Sequence, residues 1–459
     1  MWSRRSILPI VLRFSAAGVE AGNDGMGADG TLRTGRGPLA GIAATALALA
    51  ALAYAGARVQ PGTTVDLYQF WAIGAARSLS PQPLPTPWAD VAPTRRVLRR
   101  HLDDTSDPAL RRVHVYRMQH LEPFGSPLLY AAFAFLPGDY PAAVVLFRVL
   151  QLAAFGAGVF ALVRLAGWGA AAGATAVAVL AVAYGPFGDD LFTGNVNALQ
   201  LGAVVGVLAL LGAGATTPLR AGRAALALSI LAVLVLVKPN FVLVCAALAG
   251  PAAAAGARRP GVWLGPLLVC AALIVATSLW FGSASAWPDW LRFAFLDDPR
   301  RLSDYAVAGG NSSTPRLLFE WLGLDPLLGA ALVAGALALS LAAAADFTRA
   351  GLRALGAAAF AEPGLAASLG VVVTTALLPL VWFHYFVLML IPLLWLLLPP
   401  ERSPGVRALA GGALVLYSGA FLPLIAGTPL QRALPALWAL AWIAPWTAVL
   451  LHLRGVSAR

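Results

Sequence analysis

The sequence predicts an all-α polytopic membrane protein, and three observations carry that prediction. Hydrophobic residues fill 59% of the 459 positions and only 12% are charged, against about 25% charged in a soluble globular domain. Apolar runs recur from residue 39 to the C-terminus, each of about 18–25 residues and so long enough for a hydrocarbon core of about 30 Å. Arginines gather in short clusters between those runs, which is the positive-inside pattern. The net charge of +11 therefore reports membrane orientation, not a basic face for nucleic acid.

Taken in order, residues 1–38 are rich in Gly, Ser and Arg and read as a disordered cytoplasmic tail. The run 41–57 ends in "AYA", but a leader of that length and the many similar runs behind it favour an uncleaved first span over a signal peptide. The expected spans are approximately 39–57, 141–164, 170–186, 198–214, 223–237, 240–257, 262–281, 324–345, 364–381, 384–399, 406–425 and 433–452, about twelve in a single domain, 39–453. "SPLLYAAFAFLP" (126–137) is too short to cross and reads as a re-entrant or interfacial helix. Residues 454–459 form the C-terminal tail.

Short loops of one set hold sixteen arginines, and the opposite set holds only Lys238 and Arg432. That asymmetry puts both termini in the cytoplasm of a cell membrane and two long loops, 58–125 and 282–323, outside. In the first loop "DLYQFWAIGAARSL" and "TRRVLRRHL" read as amphipathic helices lying on the membrane surface. Cys245 and Cys270 lie in apolar runs without metal-ligand spacing and read as small packing residues.

The unusual polar residues collect at the outer ends of the spans: Asp66 and Tyr68, then Asp189, Asp190, Asn195 and Asn197, then Lys238 and Asn240, then Asn311, Ser312, Ser313 and Arg316, and His384. Ionisable groups at a membrane edge are candidate functional residues. Each also has a plain structural reading. Lys238, the one lysine in the chain, can snorkel to headgroups, and His384 can sit inertly in the aromatic belt formed by Trp382, Phe383, Tyr385 and Phe386. Asp189 and Asp190 fit a solvated turn. Asn195 and Asn197 fit helix caps, and Asp66 fits the N-cap of a helix beginning at Leu67. His101, His114 and His120 read as solvated loop residues, and no HExxH, CxxC, Walker or GxGxxG pattern stands in a usable context.

Six stretches, "DLYQFWAIGAA", "FGSPLLYAAFAFLP", "LFTGNVNALQLGAVV", "LVKPNFVLV", "GGNSSTPRLL" and "LPLVWFHYFVLMLIPLL", occur in an order and at membrane positions that resemble glycosyltransferase family 87. The chain departs from that pattern in having "FGSP" where tandem prolines are common, Asn195 where glutamine is common, and Tyr385 after His384 where a second histidine is common. The resemblance implies a GT-C-like bundle that transfers a sugar, mannose or arabinofuranose, from a polyprenyl monophosphate to a glycolipid or glycan hydroxyl on the extracytoplasmic face. It implies Asp66 as general base. The leaving phosphate needs cations, a role expected of Lys238 and His384, with Arg292 or Arg316 helping. Tyr68, Asp189, Asp190, Asn195, Asn197, Asn240 and Asn311 are then expected to line the substrates. One carboxylate implies inversion at the anomeric carbon. No cofactor and no obligatory metal are expected, although Asp66 with Asp189 or Asp190 offers oxygen ligands for Mg²⁺. A transporter or lipid flippase, with broken helices and polar groups near the midplane, remains an alternative, as does a non-catalytic scaffold.

Overall fold

The computed structural model describes residues 38–59, 64–106, 108, 111, 121, 123–212, 221–256, 261–296, 311–419 and 428–457. Residues 1–37 of the expected N-terminal tail, His114 and His120, and residues 297–310 of the loop 282–323 lie outside the described residues. Chain contacts divide the protein into Met1–Ala43 and Ala44–Arg459. Only the start of the first helix is described in the former, and the helical bundle is the latter.

Helices and turns make up the described residues, with no strand among them. Five helical runs are long and apolar enough to cross a membrane: α1 (Pro38–Ala57, over Ala40–Ala57), α5 (Tyr140–Leu165), α11 (Gly261–Phe281), α14 (Pro326–Ala344) and the run Ala433–Ser457, which joins α19 (Pro429–Leu440) to α20 (Ile443–Ser457). Two bent pairs raise the number to seven if each is one span: α6 (Ala170–Ala183) with α7 (Gly185–Thr193) at 65°, and α15 (Arg349–Ala361) with α16 (Pro363–Leu377) at 110°. Shorter apolar helices are α8 (Asn197–Leu210), α9 (Ala221–Val237), the run Pro239–Ala252 and the run Phe383–Leu397. The twelve expected spans are thus not twelve unbroken helices. Pro186, Pro239 and Pro363 stand at the breaks, where a missing N–H and a fixed φ end one helix and begin the next. Irregular backbone at such depth is tolerated where protein covers it.

Side-chain caps set several helix starts. Asp139 accepts from Ala142 N at 2.9 Å to open α5, and Asp325 accepts from Leu327 N at 2.8 Å to open α14. The short stretch at 126–137 forms α4 (Pro127–Phe133), capped by Ser126, only seven residues long as its composition suggested.

The first long loop folds onto the bundle. Both expected amphipathic helices are present, α2 (Val65–Leu79) and α3 (Ala92–Asp103). Their apolar faces are not turned to lipid, however. Tyr68 and Trp71 of α2 and Leu98 and Leu102 of α3 are buried together with Tyr140 and Phe147. Burying large aromatic and aliphatic side chains is worth about 1.5–3 kcal/mol each, so the loop is anchored by its own core. Helix α12 (Ala286–Phe295) joins from the second loop: Thr86 donates to Asp289 Oδ2 at 2.8 Å, and Arg77 donates to Phe281 O at 2.7 Å. These elements cover one end of the bundle. At the other end Trp168 Nε1 donates to Leu398 O at 2.9 Å and Arg454 pairs with Asp346 at 3.0 Å.

Candidate functional site

Breaks in the helical structure converge beneath α2 from three sides. The first begins at its N-terminus, where Thr64 Oγ1 lies 2.7 Å from the Tyr140 hydroxyl and that hydroxyl donates to Thr64 O at 2.9 Å. This anchor fixes the first turn of α2, which carries Asp66. The helix begins at Val65, with Thr64 at the N-cap position, so Asp66 is not the cap.

The second break is the turn from α7 to α8. Gly194 closes α7 in the left-handed region at φ +72, and a Cβ there would meet Leu67 Cβ at 2.6 Å. A side chain is excluded on both counts, and α2 can therefore rest directly on this turn. Asp190 is fully buried, not a solvated turn residue. Its Oδ2 accepts from Ala198 N at 3.0 Å, and its Oδ1 accepts from Asn197 Nδ2 at 2.8 Å. Asp190, not an asparagine side chain, thus caps the first turn of α8, where a carboxylate also suits the helix dipole. Gln151, buried in the middle of α5, donates to Asp190 O at 3.0 Å and to Asn195 O at 2.8 Å and pins the turn from beneath.

The third contribution comes from the breaks at Lys238, between α9 and Pro239, and at Trp382–Phe383, which precedes a 3₁₀ turn, Phe383–Met389. Asn195 joins all three. Its Nδ2 donates to Asp66 Oδ2 at 2.9 Å and lies 3.2 Å from His384 Nε2, while its Oδ1 accepts from Val196 N at 2.7 Å and from Lys238 Nζ at 3.3 Å. Two donors on one side and two acceptors on the other fix the orientation of the amide. His384 Nδ1 lies 3.1 Å from Asp189 Oδ2 and its Nε2 is 3.9 Å from Asp66 Oδ2. In a neutral imidazole with Asn195 donating to Nε2, the ring hydrogen belongs on Nδ1 and points at Asp189.

Lys238 also donates to Asn197 Oδ1 at 3.2 Å, and its ammonium stands 4.0 Å from the centre of the Tyr385 ring. Two neutral amides and an aromatic face hold the cation. Among the described residues no carboxylate oxygen lies within ion-pair distance of it. The nearby carboxylates of Asp190 and Asp66 act on its charge without touching it, which leaves its hydrogen-bonding front to an anion.

Seven predicted residues therefore meet: Asp66, Asp189, Asp190, Asn195, Asn197, Lys238 and His384. The other five are placed elsewhere or apart. Tyr68 is buried against Trp71 and Tyr140, and burial, with Tyr140 beside it, pushes its phenol well above the ordinary value and keeps it protonated. Asn240 lies in the turn Pro239–Phe241. Asn311 spans two backbones, donating to Pro379 O at 2.8 Å and accepting from Val381 N at 2.9 Å, so it holds the segment that leads to His384. Arg316 donates to Glu320 Oε1 at 2.6 and 2.8 Å, which neutralises it, and Arg292 is exposed on α12. The acids do not form a shared cage: Asp66 and Asp189 lie on either side of His384, and among the described residues no three His, Cys, Asp or Glu side chains are grouped as metal ligands.

Gln151 was not among the expected site residues, although a lone amide in the apolar run 143–165 is a usable signal. Arg148, one turn earlier, is a second such residue. It donates to Gly56 O at 3.3 Å, while its Nε and Nη2 are buried without a described partner.

The family model for glycosyltransferase family 87 matches residues 121–375, more than half of the chain. The match contains Asp189, Asp190, Asn195, Asn197 and Lys238, while Asp66 and His384 lie to either side of it. No curated protein and no solved structure matches.

Proposed function

This chain belongs to glycosyltransferase family 87, and from that premise we propose that it transfers a sugar from a polyprenyl monophosphate to a glycolipid or glycan hydroxyl, with Asp66 as base and Lys238 as phosphate ligand. The observation that carries the reading is the Asn195 side chain, whose amide hydrogen holds the Asp66 carboxylate while its oxygen holds the Lys238 ammonium. A base and an anion-binding cation are thereby kept on two sides of one rigid group, as a displacement between an acceptor hydroxyl and a leaving phosphate requires.

In the proposed step the acceptor oxygen attacks the anomeric carbon and its proton passes to Asp66. The bond from that carbon to the phosphate oxygen breaks, and its electron pair leaves with the polyprenyl phosphate. Lys238 stabilises the charge that develops there. Attack and departure on opposite faces invert the anomeric centre. No metal ion takes part in this reading. Asn195 and His384 position Asp66, and Asp189 orients His384. The arginine asymmetry of the short loops supports an extracytoplasmic site, and mannose or arabinofuranose is the proposed sugar on the strength of the resemblance.

Broken helices with polar groups at the breaks would also suit a transporter, but family membership favours group transfer. The protein reconstituted in phospholipid nanodiscs and given radiolabelled polyprenyl-phosphate mannose or arabinofuranose should pass the label to a glycolipid with inverted configuration. Label transferred from a nucleotide sugar and not from the polyprenyl donor, or product with retained configuration, would overturn the proposal.

A further inference from the structure

Outside this cluster, α13 (Thr314–Leu322) and α19 flank a half-open cavity of about 430 Å³, within the range of about 300–1,000 Å³ typical of small-molecule sites. Its polar wall is the Arg316–Glu320 pair. Arg316 is held on two sides, by Asn311 O at 2.7 Å and by Glu320 Oε1 at 2.6 Å. Glu320 lines the cavity with its side chain 46% exposed, and its hydrogen bonds to Arg316 use Oε1. The opposite wall is shallow because Ala433 and Ala436 supply it. On the wall of Arg316 and Glu320, Trp321 is 62% exposed.

An exposed indole face beside a planar donor–acceptor pair is the chemistry that recognises a saccharide. The ring covers the C–H face of a pyranose or furanose, and the carboxylate and guanidinium meet its hydroxyls in the ring plane. The cavity is also tied to the catalytic segment. Asn311, on its wall, accepts from Val381 N at 2.9 Å. Val381 precedes His384 by three residues, and that stretch of chain reaches no more than about 11 Å.

We infer that the α13–α19 cavity binds the saccharide headgroup of the acceptor glycolipid and presents its hydroxyl toward Asp66. The inference rests on the transfer reaction proposed above for the choice of acceptor, but the binding itself can be measured without turnover. Saturation-transfer NMR on the protein in phospholipid nanodiscs, with mannobiose and arabinobiose as probes, should show transfer to the sugar protons. Trp321→Ala, an exposed position whose loss leaves the packing intact, should reduce that transfer at least fivefold, and Glu320→Gln should reduce it less. Asp66→Asn should leave it unchanged while slowing sugar transfer by about 10²-fold or more. Equal signals from wild type and Trp321→Ala, or no signal from either disaccharide in wild type, would overturn the acceptor subsite. Sugar transfer that survives in Asp66→Asn would instead overturn the catalytic reading, and the two failures are told apart.

Discussion

Two buried polar clusters occupy the two ends of the bundle, and they are built on opposite plans. At one end Glu362, in the bend between α15 and α16, accepts from Trp395 Nε1 and Arg402 Nη2 through Oε1, and its Oε2 lies 3.1 Å from His452 Nε2. The Arg402 side chain is 7% exposed and lies against both Glu362 and His452. Each charge has its counter-charge in contact. At the other end Asp66 and Asp189 keep 19% and 35% of their side chains exposed, and Lys238 is held by amides and a ring without a carboxylate in contact. A closed cluster pairs its own charges and locks helices together; an open one leaves charge for a ligand. The difference teaches that burial of ionisable groups does not by itself mark a catalytic site, since both ends have it. What separates them is that Arg402 has its carboxylate in contact, while among the described residues Lys238 has none.

Mutations at the two ends should separate rate from stability. The largest effect is expected for Asp66→Asn, which should slow transfer by about 10²–10⁴-fold, the usual contribution of a general base, with the melting temperature unmoved. Normal turnover would remove the open cluster from the chemistry. Next, Glu362→Gln leaves the Arg402 charge without its partner and should lower stability by about 3 kcal/mol, the lower end for a broken buried pair because Glu362 is partly exposed. The transfer rate per folded molecule should not change, and a slower rate at an unaltered unfolding midpoint would break the division between the ends.

A smaller effect is expected at Lys238. Lys238→Met should weaken polyprenyl phosphate binding by about 10–100-fold, since a hydrogen bond to a charged group is worth about 1.5–3 kcal/mol. Lys238→Arg should recover only part of that, because a planar fork does not match the point charge between Asn195 Oδ1 and Asn197 Oδ1. A lysine that merely snorkels would let arginine replace it without loss. The smallest effect is expected for Asp189→Asn, whose amide oxygen can still accept from His384 Nδ1. Transfer should slow roughly fivefold, about 1 kcal/mol, with donor affinity retained, and a change in affinity alone would assign Asp189 to the donor.

The legible parts of this architecture were those written in composition and local pattern. The α-helical membrane class follows from apolar run lengths, and α2 and α3 follow from amphipathic spacing. Asp66, Asn195, Lys238 and His384 were visible as polar residues in apolar surroundings. The number of unbroken spans was not legible, because hydropathy does not show where a helix ends, and the expected spans 198–214, 223–237, 240–257 and 384–399 are helical over only 10–17 residues. Hydropathy also cannot say what an amphipathic helix packs against, so Leu98 and Leu102 were expected on lipid and are found on Tyr68 and Trp71 instead. Arg402 reads as an ordinary loop arginine and is buried, because its partners Glu362 and His452 lie 40 and 50 positions away in the sequence. Arg316 and Asn311 were grouped with the site by the chemistry of their side chains. Bonding to Glu320, four residues on, and to the backbone of Val381, 70 positions away, engages them.

The central claim is that the Lys238 ammonium contacts the donor phosphate next to Asp66. Because the chain has a single lysine, ¹⁵N-lysine labelling marks that one nitrogen without any mutation. A dipolar recoupling measurement between Lys238 ¹⁵Nζ and the ³¹P of polyprenyl phosphate, bound to wild-type protein in a deuterated bilayer, reads their separation directly. A hydrogen-bonded contact predicts about 3.5–4 Å, given an N–O distance near 2.8 Å. No dephasing, with saturating ligand shown to be bound by its shifted ³¹P signal, would place the phosphate elsewhere and contradict the account.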